Sequence, residues 1–178
     1  MTVYSHITKY TDSGDYAVQY WFLYLFNYRL NEHESDWEQI TIHLDEDRKP
    51  VDVKYSAHSG GNVGKWDDIV KSGNHPITFV ALGSHANYFR PGEKRVILGC
   101  TRVGAGNVCL KTRITRDLAS DRGQALRLDR DYRLSELTGP VFAGSYGSGN
   151  YVLVTRRPDV LSDPRLRGAW LDPLAGLP

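Results

Sequence analysis

Ala17 to Tyr28 is almost continuously apolar or aromatic, the pattern of a strand covered on both faces. A polar turn carrying His33 follows, and the chain then alternates from Asp36 to Leu44. If that segment is extended, Asp36, Glu38, Ile40, Ile42 and Leu44 share one face, and Trp37, Gln39, Thr41 and His43 share the other. The turn DEDRKP comes next, and Val51 to His58 alternates again, with Val51, Val53, Tyr55 and Ala57 set against Asp52, Lys54, Ser56 and His58. The two alternating segments predict a hairpin that brings the carboxylate pair at the start of one arm towards His58 at the end of the other.

The rest of the chain predicts shorter pieces. Val3 to Lys9 is a modest strand closed by TDSGD, and Ser59 to Gly64, rich in glycine, is a flexible loop. Trp66 to Lys71 is a helical turn, Ser72 to Pro76 a tight turn, and Ile77 to Leu82 a short strand that ends abruptly at GSHANYF. Strands at Arg95 to Leu98 and Asn107 to Lys111 flank a hairpin that holds Cys100 and Cys109, which either form a disulfide or stay as two buried thiols. Thr115 to Leu137 has weak periodicity and reads as a long connection with short strand or helix pieces. Val141 to Ala143 and Tyr151 to Thr155 close around GSYGSGN, which lacks the lysine and the serine or threonine of a phosphate loop and so reads as a hairpin. Pro158 to Pro178 holds another turn of helix and Trp170.

Composition narrows the picture without changing it. The 178 residues suit one domain, 1–178, with a substantial core. Lysine plus arginine number 22 against 21 acidic residues, a balance that supports neither a non-specific nucleic-acid binder nor an acidic tail. The apolar run Val18 to Phe26 is too short to span a bilayer as a helix. No signal peptide is recognisable, so the expected setting is cytoplasmic or export by a leaderless route, unless a leader or an N-terminal portion belongs to a longer precursor. Oligomeric state is not readable.

Chemistry concentrates at the carboxylate pair. Two like charges turned towards an apolar face are costly unless a cation, an arginine or shared protons compensate them. His33-x-x-Asp36-x-Glu38 supplies one nitrogen and two oxygen donors, a set suited to magnesium, calcium or manganese, with the histidine leaving room for iron or zinc. His58 and His85 extend the polar cluster at one end of the sheet. With Glu38 or Asp36 as base and a histidine as acid, the group could run metal-assisted hydrolysis, which makes His58, His85 and Glu38 the candidate catalytic residues. The same His33, Asp36 and Glu38 could instead hold an ion that captures a lipid or glycan headgroup. A third reading is a structural domain whose carboxylates meet arginines such as Arg29 or Arg90. His43 lies on the opposite face and His6 in the first strand, Ser56 sits in no nucleophile elbow, and neither cysteine has a histidine beside it in sequence.

YWFLYLFNY, HESDWEQITIHL, VKYSAHSGGNVGKW and HPITFVALGSHANYFRPG, in that order, resemble the successive signatures of the vacuolar protein sorting-associated family numbered sixty-two and its bacterial relatives, over roughly Gln19 to Gly92. Usual members read H-x-G-D-W-E, where this chain has Ser35 for the glycine. A more distant similarity is to the necrosis- and ethylene-inducing cytolysins, whose G-H-R-H-D-W-E heptapeptide implies a divalent-ion site on a β-sandwich and engagement of plant sphingolipid headgroups. On that resemblance His33, Asp36 and Glu38 match the motif's first histidine, aspartate and glutamate. Glu34 and Ser35 depart from its arginine and second histidine, and Asn27 stands near the place of an upstream acidic ligand.

The expected protein is therefore an all-β, two-sheet sandwich with one or two short helices. Its expected function is to bind a divalent ion and, as a toxin-like module, a membrane lipid or glycan headgroup. The alternatives are a metal-dependent hydrolase using the same pocket and a structural domain without catalysis.

Overall fold

The computed structural model describes residues 2–28, 32–58, 60–97, 100–103, 108–111, 114–128, 133–138 and 163–177. Five long strands carry the framework: β1 (Thr2–Lys9), β2 (Tyr16–Asn27), β3 (His33–Leu44), β4 (Pro50–Ala57) and β5 (Gly60–Lys65). Shorter strands follow: β6 (Lys71–Ser72), β7 (His75–Pro76), β8 (Phe79–Val80), β9 (Asn87–Tyr88), β10 (Gly92–Ile97), β11 (Cys100–Val103), β12 (Val108–Lys111), β13 (Ile114–Ala119) and β14 (Arg133–Glu136). The main sheet runs in the order β14-β1-β2-β3-β4-β5. β14 lies parallel to β1, and each other neighbouring pair is antiparallel.

The alternation seen in the sequence sets the register. Ile40 pairs with Tyr55 and Ile42 with Val53, and these four with Ile69 form the buried core, flanked by Val18, Tyr20, Phe22, Leu44, Trp66 and Phe89. Burying aliphatic side chains of this size contributes about 1.5–3 kcal/mol each. The opposite face of β2 and β3 carries Gln19, Trp21, Trp37, Gln39 and Thr41, all buried. The C-terminal segment covers it, through a 3₁₀ turn at Pro164–Leu166 and the short helix α1 (Gly168–Leu171). Gln19 Nε2 donates to the Ala169 carbonyl at 2.7 Å, and Trp170 stacks on His6 at 4.0 Å and tilts against Trp21 at 5.6 Å.

The fold is all-β, as the sequence implied. Among the described residues its second layer consists of two-stranded ladders, β6–β7, β8–β9, β10–β13 and β11–β12, with a bridge from Ala81 to Ala119. No described helix is long and apolar enough to cross a membrane.

Three expectations need correction. Ser59 to Gly64 is not a loop: from Gly60 it is strand β5, the edge of the main sheet. Its glycines serve close approach. A Cβ on Gly61 would stand 2.9 Å from the Tyr55 carbonyl oxygen, and one on Gly64 would stand 3.1 Å from the Phe89 ring. β2 is covered on both faces only along its first part, because Leu25 is 86% exposed. The expected long connection from Thr115 contains β13 and β14, which pair with residues far away in sequence, so local periodicity carries little of their signal. The β11–β12 register sets Cys100 opposite Lys111 and Cys109 opposite Arg102. The strands expected at Val141 to Ala143 and Tyr151 to Thr155, with GSYGSGN between them, lie outside the described residues.

Candidate functional site

Asp36 and Glu38 do share the core face of β3, one turn of the pleat before Ile40. Both are buried, at 8% and 6% exposure. Asp36 is held from three directions. Asn27 Nδ2 donates to its Oδ2 at 2.9 Å, His85 Nδ1 lies 3.1 Å from the same oxygen, and His33 Nε2 stands 3.7 Å from Oδ1. Burial pushes the Asp36 carboxyl upwards, but His33, His85 and Asn27 outweigh it and hold the group at about 2.

His33 reaches this side because the strand is broken. Residues three apart in a regular strand point to opposite faces, yet Ser35 has φ 55°, the left-handed region, and this turns His33 back towards Asp36. His58 and His85 also have left-handed backbones, at φ 55° and 58°. Each such residue costs about 1–2 kcal/mol relative to an ordinary conformation. Of the four non-glycine residues of this kind among the described residues, Ser35 and His85 flank Asp36, His58 bonds Asp117, and Arg48 lies in the β3–β4 turn.

Glu38 is shifted the opposite way. Burial is the largest cause raising its pKa, followed by the Asp36 charge, and the Ser56 hydrogen bond and the Arg167 charge only partly offset them. The Ser56 hydroxyl donates to Glu38 Oε2, accepts the Gln39 N–H at 2.7 Å and takes a long contact from Asn87 Nδ2 at 3.5 Å. Asn87 is in turn fixed by the Thr78 hydroxyl at 2.9 Å. Arg167 Nη1 donates to the Trp37 carbonyl at 3.2 Å.

His58 does not meet the carboxylate pair. Its Nε2 lies 2.7 Å from Oδ2 of Asp117 on β13, which also accepts the Tyr88 hydroxyl at 2.9 Å. Burial raises the Asp117 carboxyl, but His58 first and then Tyr88 outweigh it and bring it below its ordinary value. Asp117 was not singled out by sequence, although the signal existed: it shares a strand face with buried Ala119, the same conflict that marked Asp36. Ser56 as the partner of Glu38, and Tyr24, whose ring stacks on His85 at 4.1 Å and 4°, also went unread. Tyr24 is the cross-strand partner of Asp36.

The structure separates the remaining candidates. His43 is on the far face, with Nε2 3.1 Å from Asp15 and Nδ1 3.6 Å from Asp52. Arg90 reaches the Asp68 carbonyl rather than the carboxylate pair, so the compensating arginine is Arg167. Arg29 lies outside the described residues.

A divalent ion fits this donor set in part. Asp36 and Glu38 offer hard oxygen donors and His33 a borderline nitrogen, and a cation would offset the burial and the Asp36 charge that raise Glu38. Yet Glu38 is turned to Ser56, Asp36 Oδ2 already serves Asn27 and His85, and no group of three or more His, Cys, Asp or Glu among the described residues is placed to hold an ion.

The family model described as vacuolar protein sorting-associated protein 62 matches residues 13–126. The chain belongs to that family. The matched span of this family member holds Asn27, His33, Asp36, Glu38, Ser56, His58, His85 and Asp117, and leaves Arg167 and Trp170 outside it. The left-handed Ser35 gives a reason for the glycine of H-x-G-D-W-E: only glycine adopts that conformation without strain. No curated protein matches the chain. Among solved structures, NLPPya in complex with glucosamine is similar, at 25% identity and a TM-score of 0.41. The similarity covers 50% of this chain and 44% of that one, so the chain spans less than half the neighbour's length.

Proposed function

We propose that this chain is a binding protein whose Asp36 pocket recognises a hydroxyl-rich headgroup, a glycan free or carried on a lipid, without turning it over. The observation that carries the reading is the Tyr24–His85 stack anchored through His85 Nδ1 to a buried, ionised Asp36. Flat aromatic rings pack against the C–H faces of sugars, and Asp36, already engaged by Asn27, His85 and His33, fixes the His85 ring rather than meeting the ligand itself. Tyr24 is half-buried and the His85 side chain is 15% exposed, so a ligand has an edge to approach.

Protonation supports binding over hydrolysis. Burial first and then the Asp36 charge push Glu38 well above its ordinary value, which disfavours the ionised form that a base needs. Asp36, held at about 2, is a weak one. Glucosamine, the ligand in the NLPPya complex, is a practical first probe alongside a panel of sugars and glycolipid vesicles. The expected result is saturable binding by the wild type, about tenfold weaker in Tyr24→Ala. Turnover of any panel member would contradict the reading.

A second reading is a divalent ion at His33, Asp36 and Glu38, favoured by the burial and the Asp36 charge that raise Glu38. Magnesium, calcium and manganese titrated by calorimetry would then bind the wild type with release of a proton, and Glu38→Gln would bind more weakly without that release. Equal binding to both, or to neither, removes the ion from the account.

A further inference from the structure

A second concave surface lies across the second layer from the Asp36 pocket. A groove of about 580 Å³ is bounded by β5, the 3₁₀ turn at Trp66–Asp68 and β10, a size suited to a small-molecule ligand. Three cations, Arg90, Lys94 and Arg95, line it over a floor that includes Tyr88 and Phe89.

Three cations meet two carboxylates on the groove, and a further carboxylate, Asp117, stands opposite Lys94 in the β10–β13 register. The carboxylates on the groove belong to Asp68 and Glu93, and Glu93 is taken up by Arg116 Nη1 at 2.8 Å. Arg95 stands directly opposite Arg116 in the β10–β13 register, a like-charge pairing that destabilises a sheet. It is exposed and makes no ion pair among the described residues. Lys94 is half-buried, its ammonium 5.8 Å over the Tyr88 ring and 3.3 Å from the Pro91 carbonyl, so its charge is held at the groove. Arg90 is anchored only by a long contact, 3.5 Å, to the Asp68 carbonyl. Arg90 and Arg95, exposed and without an ion pair among the described residues, gain when an anion enters.

We propose that this groove is a binding site for a phosphate monoester, with Arg90 and Arg95 on the phosphate oxygens, Lys94 adding its charge from the neighbouring position of β10, and Tyr88 and Phe89 against the organic part. Guanidinium groups match phosphate oxygens in a bidentate way, and the aromatic floor favours an ester over the bare ion. The phosphate can belong to a small soluble molecule or to a lipid headgroup. The groove meets the Asp36 network at Asp117, which bonds Tyr88 and stands opposite Lys94, whereas Arg95 is exposed and makes neither contact.

Calorimetric titration with glucose 6-phosphate and inorganic phosphate tests the soluble source. Co-sedimentation with phosphatidylcholine vesicles, with and without phosphatidic acid, tests the lipid source. The variants are Arg95→Gln, Arg95→Gln with Lys94→Gln, and Lys49→Gln as a remote exposed control, each checked for an unchanged melting temperature. Binding in either arm that weakens about tenfold in the double variant and not in the control is expected, and the arm that responds names the source. Arg95→Lys, which keeps the charge and loses the fork, falls between wild type and Arg95→Gln. Absence of binding in both arms, or binding that Lys49→Gln weakens as much as the double variant does, overturns the site.

Discussion

Asp36 and Glu38 are two residues apart on one face, and the protein treats them in opposite ways. The Asp36 carboxyl lies at about 2 against an ordinary 3.8, so it contributes stability above the ordinary value that is lost as pH falls towards 2. Glu38 is raised above its ordinary 4.5, so the folded form retains a proton that the unfolded chain has released, and stability falls as pH rises beyond that value. Urea denaturation at acidic and neutral pH will show the second effect. As pH rises beyond that value the wild type loses stability, and Glu38→Gln, which can still bond Ser56, loses less. An equal loss in both would mean that Glu38 ionises freely. Ser35→Gly removes left-handed strain, and the expected gain is about 1 kcal/mol, a melting temperature about 2–4 °C higher. An unchanged or lower value would show that the serine side chain contributes as much as its backbone costs. At this scale the sequence announced Asp36 and Glu38 through their conflict with the apolar face, and named His85. It did not announce Tyr24, Ser56 or Asp117, because contacts across strands and between distant segments leave no local spacing to read.

The elements were readable where burial imposes a period. β1 to β4 follow alternation or continuous apolar runs, and their register follows from which residues must face the core. β5 escaped because its glycines resemble a loop, although two of them are there to let Tyr55 and Phe89 approach. The pair makes a testable contrast with Gly60, which has open space around its Cβ position. Gly64→Ala must displace the Phe89 ring, which packs on Tyr55 at 4.4 Å, and is expected to destabilise by about 1–3 kcal/mol. Gly60→Ala should be neutral or slightly stabilising by the same denaturation measurement. If both alanines behave alike, β5 does not pack as described. β13 was hidden for another reason: its six residues mix charges with apolar side chains, and only the pairing with β10 makes them a strand.

On the scale of the whole molecule, one sheet separates two different tasks. One face is sealed by the C-terminal segment around Gln19, Trp21 and Trp170, with its buried amides and hydroxyl bonded to one another. The other face packs its aliphatic residues under Ile69 and Phe89, then ends in a polar pocket that joins β2, β3, the β8–β9 connection and β13. Strained backbones at Ser35, His58 and His85 hold that pocket in place, and strain of this kind persists where surrounding structure fixes it for a purpose. The groove along β10 meets this network at Tyr88, whose hydroxyl reaches Asp117. A calorimetric titration of the sugar and glycolipid panel into wild type and Tyr24→Ala decides whether the Asp36 pocket binds a hydroxyl-rich headgroup. Saturable binding by the wild type that weakens about tenfold in Tyr24→Ala, with the variant still folded, is the predicted result; binding by neither protein, or equal binding by both, would contradict it.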